Sequence, residues 1–412
     1  MSVPAARVPQ ARPPRISEVD ALRGFALLGI LLVNALMMAS PYALGTIRDP
    51  GASTLDRAVE GLVQTVVVGK FYLMFSFLFG YSFTLQLDSA EREGARPVPR
   101  LLRRSLGLLV LGVLHAVLLF TGDILMAYAV LGLVLVAARD CSPRTARRAA
   151  LIVFGCVSAF MLLLGVLSLL MSDAEAAALD AELAAGFPQL VSDYRGDAAS
   201  VVRANLDQLP DALLAIPVMG GFVVAAFLAG LYGGKSRLLT ATAGRRARTR
   251  RVLLLGVAAG LPGAVFAGLA ATGPLGPRWA ILGHAVGTVS AAALTAAYVC
   301  GMLLLMASAR GARVTALLAP AGRMALTNYL GQSLVMALVF TGYGLALYDR
   351  LSPAVVVLGA LALYAAQLAL STYLMARYRY GPVEWLLRAV TLARLPRDRV
   401  APVPDEEVRG AA

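Results

Sequence analysis

Residues 111–125 read LGVLHAVLLFTGDIL and hold two side chains well suited to chemistry: His115, one of only two histidines, and Asp123. An imidazole changes charge nearest neutral pH, so it can serve as a general base or proton relay. In a soluble helix it would be a packing detail. In a membrane helix a titratable ring is costly and is retained where something uses it. Asn34 in LLVN, Lys70 in GKFYL and His284 in LGHAV are polar groups in similarly apolar runs. What they can do depends first on the solvent.

Hydrophobic residues make up 59% of the chain and charged residues only 15%, against about 25% charged in soluble domains. Apolar stretches such as 25–40, 71–87 and 150–171 approach the ~20 residues that cross a bilayer core. Alternation of period two is absent, which excludes a β-barrel and leaves helices to satisfy the backbone. The expected fold is all-α, a polytopic transmembrane helix bundle in a lipid bilayer. Ten spans fall near 24–40, 71–88, 105–121, 124–138, 149–171, 211–233, 252–272, 279–308, 324–346 and 353–376.

The net charge of +13 would suit nucleic acid, but its distribution follows topology instead. Arginine-rich segments at 7–15, 91–104, 139–148, 235–251 and 310–323, with the C-terminal tail, alternate with acidic ones. The segment 172–210 sets seven carboxylates against Arg195 and Arg203 alone. The positive-inside rule then places the basic segments and both termini in the cytoplasm, with no nucleic-acid partner. Cys141 falls in a basic loop and Cys156 and Cys300 fall in spans, so neither a disulfide framework nor a zinc site is expected. Residues 1–40 end in MMAS, which could pass as a cleavage site, but Asp20, Arg23 and Asn34 do not suit a removable leader.

The chain divides into a cytoplasmic tail (1–19), an N-terminal membrane half (20–138) and central spans with the acidic external loop (139–308). A C-terminal membrane region (309–393) and a disordered cytoplasmic tail (394–412) follow. Residues 55–69 and 382–393 read as helices lying at the outer and inner interfaces. Residues 173–185 read as one short helix in a loop otherwise marked by Pro and Gly.

Counting at ~1.5 Å per residue sorts the polar groups by depth. Asn34 lies ~9 Å below the outer end of its span. His115 and His284 fall at a similar depth, and Lys70 and Asp123 mark outer ends, so five groups converge on one outer layer. An inner layer holds Asp20 and Arg23 on one helix face, Arg323, Asn328 with Gln332 at i, i+4, and Glu384 four before Arg388. Arginines and amides there suit anionic groups arriving from the cytosol. Several of these have plainer readings. Asn328 with Gln332 reads most simply as interhelical glue, Glu384 with Arg388 as a surface pair, and His284 as a packing residue. Lys70 is either a snorkelling cation or a site residue. No metal site is expected, because neither histidine has a carboxylate or cysteine at ligand spacing.

RISEVDALRGFALLGILLVN (15–34), KFYLMFSFLFGYSF (70–83), RRSLGLLVLGVLHAVLLFTGDILMAYAVLG (103–132) and GRMALTNYLGQSLVMALVFTGYGL (322–345) resemble the YeiB-like family of bacterial membrane proteins. RYRYGPVEWLLR (377–388) resembles the closing motif of that family's C-terminal domain of unknown function 418. The opening Asp20, Leu22, Arg23, Gly24 is also distantly similar to transmembrane acyltransferases of the acyltransferase-3 and heparan glucosaminide acetyltransferase types. Proteins of the acyltransferase-3 type carry a histidine fourteen residues after the aspartate; here that position is Asn34, as in the heparan enzyme.

The wider resemblance implies transfer of an acyl group from a cytoplasmic donor to an extracytoplasmic glycan or lipid acceptor of the cell envelope, at the plasma membrane. Acyl-CoA would be a co-substrate, with no bound cofactor. Asp20 would organise the inner end of the first span, and Arg23 would bind donor phosphate or hold the helix packing. Asn34 would hydrogen-bond the reacting carbonyl and meet His115, the general base. Asp123 would act on the imidazolium from a distance, because TGD ends the helix. A transporter or flippase is the alternative, using the same two layers and a histidine that titrates; a non-catalytic scaffold is the third. The topology is directly testable. With Cys141, Cys156 and Cys300 replaced by alanine, a single cysteine at Ser192 is expected to react with a membrane-impermeant maleimide from outside intact cells. One at Ser236 is expected to react only in inverted vesicles; labelling of both from one side overturns the assignment.

Overall fold

The computed structural model describes residues 16–44, 47–239, 246–273 and 275–396. Most of the two expected tails, 1–15 and 397–412, lies outside them. The described residues fold into helices without strands. The first half holds α1 (Ser17–Ala39), α2 (Thr54–Val66), α3 (Lys70–Arg92), α4 (Pro97–Leu118), α5 (Leu125–Leu131), α6 (Leu133–Ala137), α7 (Pro143–Leu167), α8 (Asp173–Ala184) and α9 (Phe187–Arg195). The second holds α10 (Ala198–Lys235), α11 (Arg246–Thr272), α12 (Ala280–Met306), α13 (Gly311–Arg323), α14 (Ala325–Phe340), α15 (Pro353–Arg377) and α16 (Pro382–Leu392).

Seven helical stretches are long and apolar enough to cross a membrane, and the two halves of α10, bent by 52° after Pro217, add an eighth if taken together. Pro217 has no N–H to continue the backbone ladder, which accounts for a bend at that point. The two other expected spans are shorter apolar stretches at Leu125–Ala137 and Ala325–Phe340. The 16 residues of α14 reach only ~24 Å at 1.5 Å each, less than the ~30 Å hydrocarbon core. The polar segment before residue 211, expected as loop, is helical from Ala198, where the Asp197 side chain accepts from Ser200 N at 2.8 Å. The expected interfacial helices correspond to α2, opened by a Ser53/Asp56 capping box, and to α16, opened by Pro382.

Burial is distributed as a bilayer requires. Large apolar side chains such as Leu151, Leu254 and Leu358 are exposed on the outer helices, which soluble surfaces avoid as contiguous patches. At the centre stands α1, with Ala21, Leu22, Ala26, Leu27, Leu31 and Ala35 fully buried. It packs chiefly on α13, with α14, α15 and α3 around it. Between helices with no water to expel, close backbone packing at small residues supplies the attraction. Here Gly24 faces Leu318 and Gly322 faces Asp20 so closely that a Cβ on either would overlap the opposing backbone carbonyl. This contact sets where Asp20 and Arg23 sit. Gly322→Ala is therefore expected to lower stability by ~1–3 kcal/mol through overpacking. Gly359→Ala, where a Cβ meets nothing within 4 Å, is expected to be neutral. Thermal unfolding in detergent followed by circular dichroism measures both.

Candidate functional site

The helix that carries His115 ends immediately after it. Leu119 N and Phe120 N both donate to the His115 carbonyl at 2.9 Å, closing the last turn of α4. The chain then reverses through Thr121 and Gly122 and starts α5. Asp123 opens this second helix, its Oδ2 accepting from Met126 N at 2.6 Å. Its Oδ1 lies 2.9 Å from Nδ1 of His115, and both side chains have no solvent exposure. The separation is that of an ion pair, although the alignment is not that of a full hydrogen bond. Gly112, one turn before His115, makes the fold-back possible: a Cβ there would sit 2.7 Å from Asp123 Oδ2.

The expectation that Asp123 acts at a distance is thus corrected. Eight residues on a continuous helix would span ~12 Å, but the reversal brings the two groups together. The expected meeting of His115 with Asn34 is not found. Asn34 is half-buried on α1 and makes no hydrogen bond among the described residues. The ring of His115 packs instead on Tyr329, centroids 5.0 Å apart, and edge-on to Phe120. Nε2 of His115 has no hydrogen-bond partner among the described residues. The Tyr329 hydroxyl receives Ile124 N at 3.5 Å, so this tyrosine stands against the same turn as Asp123.

Towards the acidic segment 172–210 the pair is covered. Asn205, fully buried near the start of α10, donates through Nδ2 to Val117 O at 3.0 Å and accepts from the Tyr194 hydroxyl at 2.8 Å. Gln208 Nε2 donates to the same hydroxyl at 2.7 Å. Arg195 fastens α9 to the loop before α15 through Tyr348 O at 2.6 Å and Asp349 O at 3.0 Å. None of these residues was singled out as a site residue, because reading 186–210 as loop concealed the two helices, α9 and α10, that carry them.

At the arginine-rich end of the molecule α1, α3, α4, α14 and α16 enclose a cavity of ≈340 Å³. Five arginines, Arg23, Arg100, Arg104, Arg323 and Arg388, line it against two glutamates, Glu93 and Glu384. Arg23 pairs with Asp20 at 2.8 Å and also donates to the Ser82 hydroxyl. Arg100 pairs with Glu93 at 2.9 Å. Guanidinium groups crowded in this way favour an anionic, multi-oxygen ligand. The walls further in are apolar, with Leu27, Ile30, Leu108 and Leu125, and Tyr329 lines the cavity as well. One tyrosine therefore touches both the cavity and the imidazole.

Glu384 proves to be more than a surface residue. Its Oε1 accepts from Leu326 N at 2.6 Å and Thr327 N at 3.1 Å, and its Oε2 from the Thr327 hydroxyl at 2.5 Å. The carboxylate of α16 thus caps the first turn of α14, satisfying N–H groups that the helix leaves open. Burial pushes its carboxyl above the usual range, and the hydrogen bonds from Thr327 and Leu326 oppose that. Arg388 does not pair with it; its guanidinium stacks over Tyr380, 5.1 Å from the centroid.

The remaining candidates separate. Asn328 donates to Ala321 O and to the Ser371 hydroxyl, and Gln332 donates to Gln367 Oε1 at 2.8 Å, so these amides join α14 to α15. Lys70 does not snorkel: it is 1% exposed, and its ammonium donates to Gln64 O at 3.0 Å. His284 lies on α12, in the pair that α12 forms with α11. Of the five groups expected in one outer layer, His115 and Asp123 alone come together. Among the described residues no group of three or more His, Cys, Asp or Glu could hold a metal ion.

Fold and site together define a polytopic helical membrane protein with a buried histidine–carboxylate pair behind an arginine-lined cavity. The family described as "Protein of unknown function (DUF418)" matches residues 233–394. YxaH of Bacillus subtilis (strain 168) is 30% identical over 402 residues, 92% of this chain and 94% of the relative. A 39.9 kDa protein from the amylase 3′ region of Bacillus acidopullulyticus is 27% identical over 399 residues, 94% and 96% of the two chains. YeiB of Escherichia coli (strain K12) is 29% identical over 388 residues, 91% and 95%. The chain belongs to this YeiB-like DUF418 family.

The capping geometry makes a specific prediction. Glu384→Ala is expected to cost ~0.5–2 kcal/mol of stability, as removal of a helix cap does, and Arg388→Ala no more than ~0.5 kcal/mol. Thermal unfolding of the two variants in the same detergent distinguishes them.

Proposed function

We propose that this membrane protein is an acyltransferase that uses acyl-CoA from the cytoplasm and acylates an envelope glycan or lipid at the plasma membrane. The observation that carries the reading is the solvent-free His115–Asp123 pair with Nε2 unpartnered, set behind the tyrosine that lines an arginine-rich cavity. A carboxylate at Nδ1 favours the tautomer that leaves Nε2 as a base, and it stabilises the imidazolium once formed.

In this scheme the arginine-rich end faces the cytoplasm, and the phosphates of the donor lie against Arg23, Arg100, Arg104 and Arg388. The acyl-bearing end points along the apolar wall towards Tyr329, whose hydroxyl would polarise the thioester carbonyl. Nε2 of His115 takes the proton from an acceptor hydroxyl or amine as its oxygen or nitrogen attacks that carbonyl. The C–S bond then breaks, and the proton passes to the departing thiolate. Tyr329 separates cavity from imidazole in this structure, so its ring must turn aside during the cycle. Asn34, which makes no hydrogen bond to the pair, has no part in this scheme.

The test is incubation of purified protein with radiolabelled acetyl-CoA and a cell-envelope extract. His115→Ala is expected to reduce transfer by ~10²–10⁴-fold. Asp123→Asn should lower the rate and shift its pH profile, and Asn34→Ala should leave it within a few fold. Free CoA is expected to raise the melting temperature of the wild type but not of Arg23→Ala. An absence of both transfer and CoA stabilisation would overturn the reading and favour transport.

A further inference from the structure

A second cavity, ≈370 Å³, lies at the end of α1 opposite Arg23, between the segment after α1, α2 and the end of α11. Its wall carries Arg48, Asp49, Arg57, Glu60 and Gln64. Glu60 and Gln64 are four residues apart and so share one face of α2. Gln64 is 7% exposed; its backbone oxygen is taken by Lys70, while its side-chain Oε1 is shielded from solvent and accepts no hydrogen bond. Buried amide oxygens are normally satisfied, so an unpartnered one on a residue that lines the cavity can be satisfied by a donor there once the amide turns. The carboxylate of Glu60, beside it, has no hydrogen bond or ion pair among the described residues.

The opposite charge is present too. Arg57 spends Nη1 on Ala52 O at 2.7 Å, leaving the rest of its donor fork available. Arg48 is pinned to Ala270 O and Leu275 O, and Asp49 Oδ1 to Gly51 N. Two arginines and two carboxylates balance around the space, so a lone anion would meet Asp49 and Glu60, and a lone cation Arg48 and Arg57.

We infer that this cavity binds a small zwitterion, whose protonated amine donates to Glu60 and, as the Gln64 amide turns towards it, to Gln64 Oε1, while its anionic group faces Arg57. The site is separate from the histidine pair and independent of acyl transfer. Isothermal titration of the full chain in detergent with O-phosphoethanolamine and with β-alanine tests it. Saturable binding of at least one is expected, weakened about tenfold or more in Glu60→Gln and in Gln64→Leu, as loss of a charge-assisted hydrogen bond implies. Glu60 is only half-buried, so Glu60→Gln keeps the test valid if Gln64→Leu folds poorly. Titrated into Arg23→Ala, which weakens the arginine-lined cavity, N-acetylated β-alanine and inorganic phosphate are expected to give no saturable heat. Failure of both zwitterions to bind, unchanged binding in Glu60→Gln, or equal binding of phosphate alone would overturn the inference.

Discussion

His115 and Asp123 hold each other 2.9 Å apart with neither side chain exposed, and much of the surrounding structure follows from keeping that contact tenable. A buried charge without a partner costs several kcal/mol, and breaking such a pair leaves one behind. The pair therefore needs a rigid frame. Termination of α4 after His115 supplies the reversal, and Gly112 supplies the space for it. Met126 N holds the second carboxylate oxygen, fixing the face that Asp123 offers the ring. Above, Asn205 ties α10 to the end of α4 through Val117 O.

The short helix α14 joins this centre to the arginine-rich end. Its first turn is capped by Glu384 of α16, and Asn328 binds Ser371 of α15. The next residue, Tyr329, lies against His115. The capped turn at Leu326 and Thr327 and the residue that packs on the imidazole thus lie within three residues of one another on one helix. α1 contributes differently. Its close contact with α13 at Gly24 and Gly322 fixes Asp20 and Arg23 at the mouth, while its C-terminal half is buried in the core.

Helix class and membrane character were legible in the sequence because the bilayer imposes them on composition and segment length. His115 and Asp123 stand out in the sequence for the same reason, since hydrocarbon makes polar groups conspicuous. Their direct contact was not, because depth counting treats each span as a straight rod and the chain reverses at Thr121–Gly122. The same counting paired Asn34 with His115: equal depth does not specify azimuth, and no hydrogen bond joins the two. Glu384 was misread because its partners are backbone N–H groups 57 and 58 residues away, which i, i+4 spacing cannot register. Tyr329 was passed over inside TNYLGQ because an aromatic in an apolar span is ordinary; only contact with both cavity and imidazole distinguishes it.

The central claim is that Asp123 holds the proton of His115 on Nδ1 and leaves Nε2 bare. With only two histidines in the chain, nitrogen-15 NMR of histidine-labelled protein carrying His284→Gln observes His115 alone. In the neutral imidazole a pyrrole-type Nδ1 and a pyridine-type Nε2 are expected, with that preference lost in Asp123→Asn. A proton resident on Nε2, or the same spectrum with and without the Asp123 carboxylate, would contradict it.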